Sequence, residues 1–206
     1  MRRIVVVGAG KIGSVIVDML AGSGDYDVVV VDGSAAQLDG LSPRANVMGK
    51  VVAIDSPEAL AEAVDGAFAV VNAAPFHLTT RIAEAARKAG AHYLDLTEDV
   101  ASSRRVAELA DGADSAFIPQ CGLAPGFISI VASDLASRFD ELHDVRLRVG
   151  ALPRYPSNAL NYNLTWSTDG VINEYCEPCD AIVDGRLREV PALEEREEFA
   201  LDGVTY

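Results

Sequence analysis

Three glycines and one aspartate carry the first chemistry legible in this chain. Gly8-Ala9-Gly10-Lys11-Ile12-Gly13 follows the apolar run Ile4-Val5-Val6-Val7 and opens a helical run to about Ser23. A second apolar run, Val28-Val29-Val30-Val31, ends in Asp32, about 20 residues beyond Gly13. That spacing suits a dinucleotide. Gly8 permits a tight turn, Gly10 lets backbone approach a pyrophosphate, and Gly13 lets the helix pack closely on the strand. The helix N-terminus turns its N–H groups and positive dipole end towards the phosphates. Asp32 is placed to accept hydrogen bonds from an adenosine ribose. The residues after it, Gly33-Ser34-Ala35, offer no Arg or Lys to a ribose phosphate, which Asp32 would also repel. NAD is therefore expected over NADP, held by Gly8, Ala9, Gly10, Lys11, Ile12, Gly13, Asp32 and Gly33.

Other residues suited to chemistry lie where strands of such a sheet would end, the edge at which ligands bind. Ala73-Ala74-Pro75 are small enough to let a nicotinamide lie against backbone, or they form a plain short loop. Asp55 would meet adenine, or stand as a polar residue beside a helix cap. His77 would serve as the base of a proton-coupled hydride transfer, unless it is a helix-terminus histidine facing solvent. Asp95 ends a buried strand, where it would orient a substrate amine or cap the next loop. Gly122-Leu123-Ala124-Pro125-Gly126 opens a helix whose N–H groups would meet a substrate carboxylate, or it serves as a domain hinge.

The elements that must position these residues alternate strand and helix through residue 121. After the first βαβ unit come a strand at Lys50–Ile54 and a helix from Pro57 to about Val64 capped by Ser56. A fourth strand is expected at Phe68–Asn72, a helix at Leu78–Ala89 stopped by Gly90, and a fifth strand at His92–Leu96. A helix at Val100–Ala110 and a sixth strand at Ala116–Pro119 complete the set. Six strands joined by helices imply an α/β fold, a Rossmann doubly wound parallel sheet ordered 3-2-1-4-5-6. The pattern then changes. Phe127–Phe139 reads as a helix with Phe127, Ile130, Val131, Leu135 and Phe139 inward. Strand-like runs come next at Asp144–Val149, Asn161–Trp166, Ala181–Val183 and Leu187–Val190, the last two joined by the turn pair Asp184-Gly185. Residues 1–122 are thus read as a dinucleotide-binding domain, and 123–206 as the start of a second, α+β domain. The run Val204-Thr205-Tyr206 reads as a new strand, so the natural chain is expected to continue.

Composition narrows the function classes. The 206 residues are half apolar and carry a formal charge of −14, from 17 basic and 31 acidic side chains. That balance argues against nucleic acid and anionic membrane surfaces as partners. No apolar run approaches the ~20 residues that span a bilayer. The start, Met1-Arg2-Arg3, lacks a signal-peptide layout. Three cysteines, an odd and sparse set, suit a reducing cytoplasm. Cys176-Glu177-Pro178-Cys179 has neither the second pair of a zinc site nor a thioredoxin-like context, and no metal is expected.

Several stretches resemble a known family. Gly122-Leu123-Ala124-Pro125-Gly126-Phe127 is similar to the G-x-[AD]-P-G motif of saccharopine dehydrogenase-like enzymes. Leu160-Asn161-Tyr162-Asn163, Ser167, Gly170 through Tyr175, Pro178 and Glu189-Val190-Pro191-Ala192-Leu193 continue the likeness, nearest to the lysine 6-dehydrogenase branch. The resemblance implies a Rossmann domain joined to a second domain for substrate binding and dimer formation, in chains longer than this one. Ala124 stands where saccharopine-forming members carry Asp, which favours a simpler amino-acid amine. The expected activity is NAD-dependent oxidation at a C–N bond of an amino acid, with His77, Asp95, Tyr162 and Asn163 handling substrate and protons. The expected assembly is a homodimer. A rival of another class also fits residues 1–99, which resemble the NAD-sensing module of potassium-uptake regulators. Such a module would not need the segment from Gln120 to Tyr206.

Overall fold

The computed structural model describes the chain except residues 151, 152, 154, 156, 160–162, 164–167, 195, 196, 202 and 206. It forms two compact units, Met1–Leu147 and Arg148–Tyr206.

The first unit is built on β1 (Arg2–Val7), α1 (Lys11–Ser23), β2 (Tyr26–Asp32), a one-turn α2 (Ala35–Asp39), β3 (Val47–Val51) and α3 (Pro57–Val64). The chain continues through β4 (Ala69–Asn72), a 3-10 turn at Phe76–Leu78, α4 (Thr79–Ala89), β5 (His92–Asp95), α5 (Val100–Ala110), β6 (Phe117–Ile118) and α6 (Phe127–Ala136). The six strands form one sheet in the order β3-β2-β1-β4-β5-β6, every neighbouring pair parallel. This is the expected doubly wound sheet.

The strands dictate why the helices divide between two faces. Side chains alternate across a strand, and β1 is apolar on both faces. Val5 and Val7 join Leu60, Val64, Ile82, Ala86, Tyr93 and Val106 in a core under α3, α4 and α5. Ile4 and Val6 join Val17, Ala21, Val28 and Val30 under α1 on the other face. Each fully buried valine contributes about 1.5–3 kcal/mol over exposure, so a strand of four consecutive apolar residues is stable only when covered on both sides. Local signals set the helix ends. The Ser56 hydroxyl accepts from the Ala59 N–H with Pro57 opening α3, and Gly24 and Gly90 end α1 and α4 in the left-handed region.

Three expectations are corrected. The third strand is Val47–Val51, not Lys50–Ile54. It is an edge strand, exposed along most of its length, so no apolar run marks it, while Val52 and Ile54 pack on the core just after it. The helix α6 forms, but its apolar residues are not inward: Phe127 is 60% exposed and Ile130 70% exposed, and Val131, Leu135 and Phe139 are exposed too. Asp144–Val149 forms no strand; alternating Val145, Leu147 and Val149 are all exposed and gain nothing from pairing there.

The second unit holds α7 (Thr168–Cys176), β7 (Cys179–Val183), β8 (Arg186–Val190), β9 (Ala200–Leu201) and β10 (Val204–Thr205). β7 and β8 form an antiparallel hairpin. Asp184 and Gly185 both take positive φ at its turn, as a two-residue hairpin of this hand requires. β9 pairs with β10 antiparallel. The Arg148 guanidinium grips Glu197 with two hydrogen bonds, 2.5 and 3.0 Å long, and stacks over Phe199. The expected strand at Asn161–Trp166 lies outside the described residues, Asn163 excepted.

Candidate dinucleotide site and the crevice beyond the strands

The glycine turn has three distinct geometries at its three glycines. Gly8 has φ +101°, and a β-carbon there would sit 2.8 Å from the Ala73 carbonyl oxygen. Gly13 touches the turn itself, since its β-carbon would lie 2.0 Å from the Gly8 carbonyl oxygen. A β-carbon on Gly10 would meet nothing within 4 Å. Two glycines are thus demanded by protein packing, while Gly10 keeps an open face that a side chain would fill. No side chain caps α1, and an α-helix leaves its first N–H groups without intrahelical partners. An open backbone face at an uncapped helix N-terminus fits a dinucleotide phosphate. Lys11 and Ile12 are exposed beside it, and Ala9 is buried.

Asp32 ends β2 with its carboxylate already aimed. Oδ2 accepts from the Ala9 N–H at 2.7 Å, and Oδ1 from the Ser34 N–H at 2.8 Å. Each oxygen keeps a further lone pair for a ribose hydroxyl. Gly33 is exposed beside it. Asp55 is exposed in a turn four residues beyond β3 rather than at the strand end. Ala73, Ala74 and Pro75 follow β4 directly. The Ala73 N–H donates to the Val7 carbonyl, so this loop starts beside the glycine turn. His77 is exposed in the 3-10 turn, edge-on to Phe76.

Asp95 is not where a substrate amine would reach it. It is 1% exposed. Its Oδ1 accepts from the Thr97 N–H at 3.1 Å and the Gln120 N–H at 3.0 Å. Oδ2 is buried without a hydrogen bond of ordinary geometry. Burial pushes this carboxyl above its usual range, against the pull of the two backbone N–H groups and the Tyr93 hydroxyl. Tyr93, two residues back on the same strand face, is fully buried; burial and then the Asp95 charge raise its phenol well above the usual value. The buried Asn72 side chain donates to the Tyr93 hydroxyl and to Thr79 Oγ1, both at 3.1 Å, and accepts from the Ala74 N–H. Tyr93 and the Asn72 amide are not legible as site residues in the sequence, because an aromatic in a strand reads as core. Their signal was a polar residue closing each of two adjacent strands, Asn72 and Asp95, which the sheet register sets opposite each other.

The glycine–proline motif is closed on itself. The Gly122 N–H donates to the Pro125 carbonyl, Phe127 N–H to Gly122, Ile128 N–H to Leu123 and Ser129 N–H to Gly126. The first N–H groups of α6 are therefore occupied, and the expectation that they receive a substrate carboxylate is replaced by that of a self-capped corner. Of the second-unit candidates, Asn163 is exposed and Tyr162 lies outside the described residues. Cys121, Cys176 and Cys179 are free thiols, and no metal-binding cluster occurs among the described residues. Among those residues no helix is long and apolar enough to cross a membrane.

Comparison with known proteins places this architecture. Residues 4–117 match the saccharopine dehydrogenase NADP binding domain, and residues 122–205 the saccharopine dehydrogenase C-terminal domain. The mitochondrial alpha-aminoadipic semialdehyde synthase of Mus musculus is 20% identical over 193 residues, covering 90% of this chain and 21% of that protein. Its Rattus norvegicus counterpart is 19% identical over the same extent. The chain thus spans about a fifth of the length of these curated relatives. The apo saccharopine dehydrogenase (L-Glu forming) of Saccharomyces cerevisiae superposes with a TM-score of 0.72 at 17% identity, over all of this chain and 48% of that one. By its two domain matches, in chain order and over most of its length, the chain belongs to the saccharopine dehydrogenase family.

Proposed function

We propose that this chain is the dinucleotide-binding part of an NAD-dependent oxidoreductase acting on a C–N bond of an amino acid. One observation carries the reading: the open face of Gly10 and the pre-aimed Asp32 carboxylate stand at the same sheet edge as the Ala73–Pro75 loop. Family membership supports the reaction class. The named relatives, a saccharopine dehydrogenase and an alpha-aminoadipic semialdehyde synthase, support amino-acid chemistry of the lysine type. The lysine 6-dehydrogenase-like substrate, a simple amino-acid amine, rests on Ala124 and the motifs around Asn163 and Gly170. A homodimer and a cytoplasmic setting belong to the same proposal.

Gly8–Gly13 and the N-terminus of α1 would hold the pyrophosphate, Asp32 the adenosine ribose, and Ala73–Pro75 one face of the nicotinamide. When bound, the nicotinamide supplies the acceptor for a hydride. The chain's own task is to take one proton from the substrate amine, so that the nitrogen lone pair can drive the hydride, with its two electrons, off the adjacent carbon. The resulting iminium takes up water or cyclises. We assign proton and substrate handling to His77, Tyr162 and Asn163. Asp95, buried in the first unit's sheet, supports the crevice rather than touching substrate.

The preference for NAD over NADP rests on Asp32 and on the absence of a cation at positions 33–35. Titration with NADH and NADPH, followed by reduction of NAD with a panel of amino-acid amines, tests both parts. Asp32→Ser with Gly33→Arg is expected to move the preference towards NADPH. Tighter NADPH binding by the unaltered chain would overturn the cofactor assignment, and NADH binding with no amine-dependent reduction in the whole protein would favour a sensing module.

A further inference from the structure

Gln120 is a non-glycine residue in the left-handed region, at φ 60°. Such a conformation is unfavourable for a residue with a side chain and persists only where neighbours hold it. Two oxygens of one residue hold this corner. Asp95 Oδ1 accepts from the Gln120 N–H, and the Asp95 carbonyl accepts from the next N–H, that of Cys121, at 2.7 Å. The same Oδ1 accepts from Thr97, so the loops after β5 and β6 share one acceptor. The corner also seats the start of α6. A β-carbon on Gly126 would strike the carbonyl oxygens of Gly122 and Gln120, so the closed turn that opens this helix is stacked on the Gln120 backbone.

Tyr93 stands two residues before Asp95 on the same face of β5, and both are buried, Asp95 Oδ2 without a hydrogen-bond partner. The Tyr93 hydroxyl accepts from Asn72, and Asn72 Oδ1 accepts from the Ala74 N–H. Two hydrogen-bonded groups therefore stand side by side beneath the crevice, Ala74 with Asn72 and Tyr93, and Asp95 with Thr97 and Gln120. They meet at Tyr93 and Asp95, neighbours on one face of β5, between the loop after β4 and the loop after β6. Polar groups are costly inside a sheet unless each is satisfied. Leucine and phenylalanine here would give a stable core without any tie between the loops, so packing alone does not explain these residues.

We propose that Asp95 is a positioning residue, which fixes the Gln120–Cys121 corner through its carboxyl and carbonyl oxygens and ties that corner, through Tyr93 and Asn72, to the Ala74 loop. The two loops that flank the crevice are thereby set in register with each other. The roles of those loops rest on the function proposed above; the tie between them does not.

The test is amide hydrogen exchange on the 206-residue chain, with NADH titration alongside. In Asp95→Ala, exchange at Thr97 and Gln120 is expected to quicken roughly tenfold or more, the size of losing one buried acceptor, and at Ala74 by a smaller factor. Val5–Val7, at the sheet centre, should be unchanged. Asp95→Asn keeps an Oδ1 acceptor and should restore protection at Thr97 and Gln120. Tyr93→Phe severs the tie, and should quicken Ala74 while leaving Gln120 near its original rate. It also stands in should Asp95→Ala fail to fold. NADH should bind several-fold more weakly to Tyr93→Phe. Loss of protection in Asp95→Asn equal to that in Asp95→Ala would overturn the proposal, as would a uniform rise that includes Val5–Val7 in both Tyr93→Phe and Asp95→Asn. If the unaltered chain binds no NADH, the cofactor assignment fails, while the exchange pattern still decides whether the tie exists.

Discussion

Gly13 rides on the carbonyl oxygen of Gly8 so closely that a β-carbon on Gly13 would stand 2.0 Å from it. The first turn of α1 and the glycine turn are therefore one rigid unit, and what forces glycine at position 13 is backbone against backbone.

That relationship makes Gly13→Ala informative. Helix propensity alone favours alanine by about 1 kcal/mol. The clash has no flexible side chain to absorb it, so the turn or the helix must move, and the cost stands at the upper end of the ~1–3 kcal/mol typical of overpacking. The steric term should win. Urea unfolding of the variant is expected to show a net loss of about 2 kcal/mol, together with weakened NADH binding. A gain in stability would mean that α1 shifts freely over the turn.

Asp95 gives a pH signature with a defined sign. Burial raises its carboxyl in the folded chain above the 3.8 of an ordinary aspartate. The folded state thus binds this proton more tightly than the unfolded state. Its contribution is most favourable below the unfolded pKa, declines as pH rises through the interval up to the raised folded value, and is flat beyond it. Asp95→Asn removes the titration and keeps the acceptor. The stability of Asp95→Asn relative to the unaltered chain should therefore climb with pH above about 4 and then level off. Burial also raises Glu98, with Asp99 and Asp95 adding to it, so the difference curve will include a small coupled part from Glu98. Urea midpoints measured across the acid to neutral range check this; a difference that falls with rising pH would show Asp95 to be ionised at low cost.

The exposed face of α6 predicts self-association. Phe127, Ile130, Val131 and Leu135 follow helical spacing on one side and all are exposed, with Leu123 and Phe139 nearby. An apolar stripe of that extent in contact with water drives association. The 206-residue chain should sediment as a dimer or larger, and Ile130→Glu should shift it towards monomer without changing its unfolding midpoint much. A monodisperse monomer for the unaltered chain would show that the face is tolerated as it stands.

The sheet order, the glycine turn, the Ser56 cap and the Asp184-Gly185 hairpin were legible because each depends on local residue types: β-branched runs, φ > 0 glycines, a capping hydroxyl. The edge strand β3 was not, since Met48, Gly49 and Lys50 need no partner on their outer faces and carry no periodic signal. For α6 the sequence showed an apolar face correctly but not whether anything covers it. Periodicity reports which residues share a side and is silent on the neighbour. The polar cluster of Asn72, Tyr93 and Asp95 was hidden for a different reason. Its members lie on two strands and meet only through sheet register, which no single stretch of sequence displays. Asp32 stands at the expected sheet edge because a strand end fixes position without reference to any partner.

The last prediction concerns Gly126. It has φ +131°, and a β-carbon there would lie 2.3 Å from the Gly122 carbonyl oxygen and 2.7 Å from that of Gln120. No L-residue relieves both contacts without opening the Gly122–Gly126 turn. Gly126→Val should therefore displace the start of α6 and, through Gln120, the corner that Asp95 holds. The glycine turn follows β1 and Asp32 ends β2, and both are untouched. NADH affinity is expected to fall by no more than the several-fold that loosening the Ala74 loop costs, while amine-dependent reduction of NAD in the whole protein should fall about a hundredfold, the scale of a ~1 Å misplacement near reacting groups. The contrast between the two readouts carries the meaning. Equal losses would assign the motif to support of the sheet, and turnover at the original rate would place the α6 corner outside the reaction altogether.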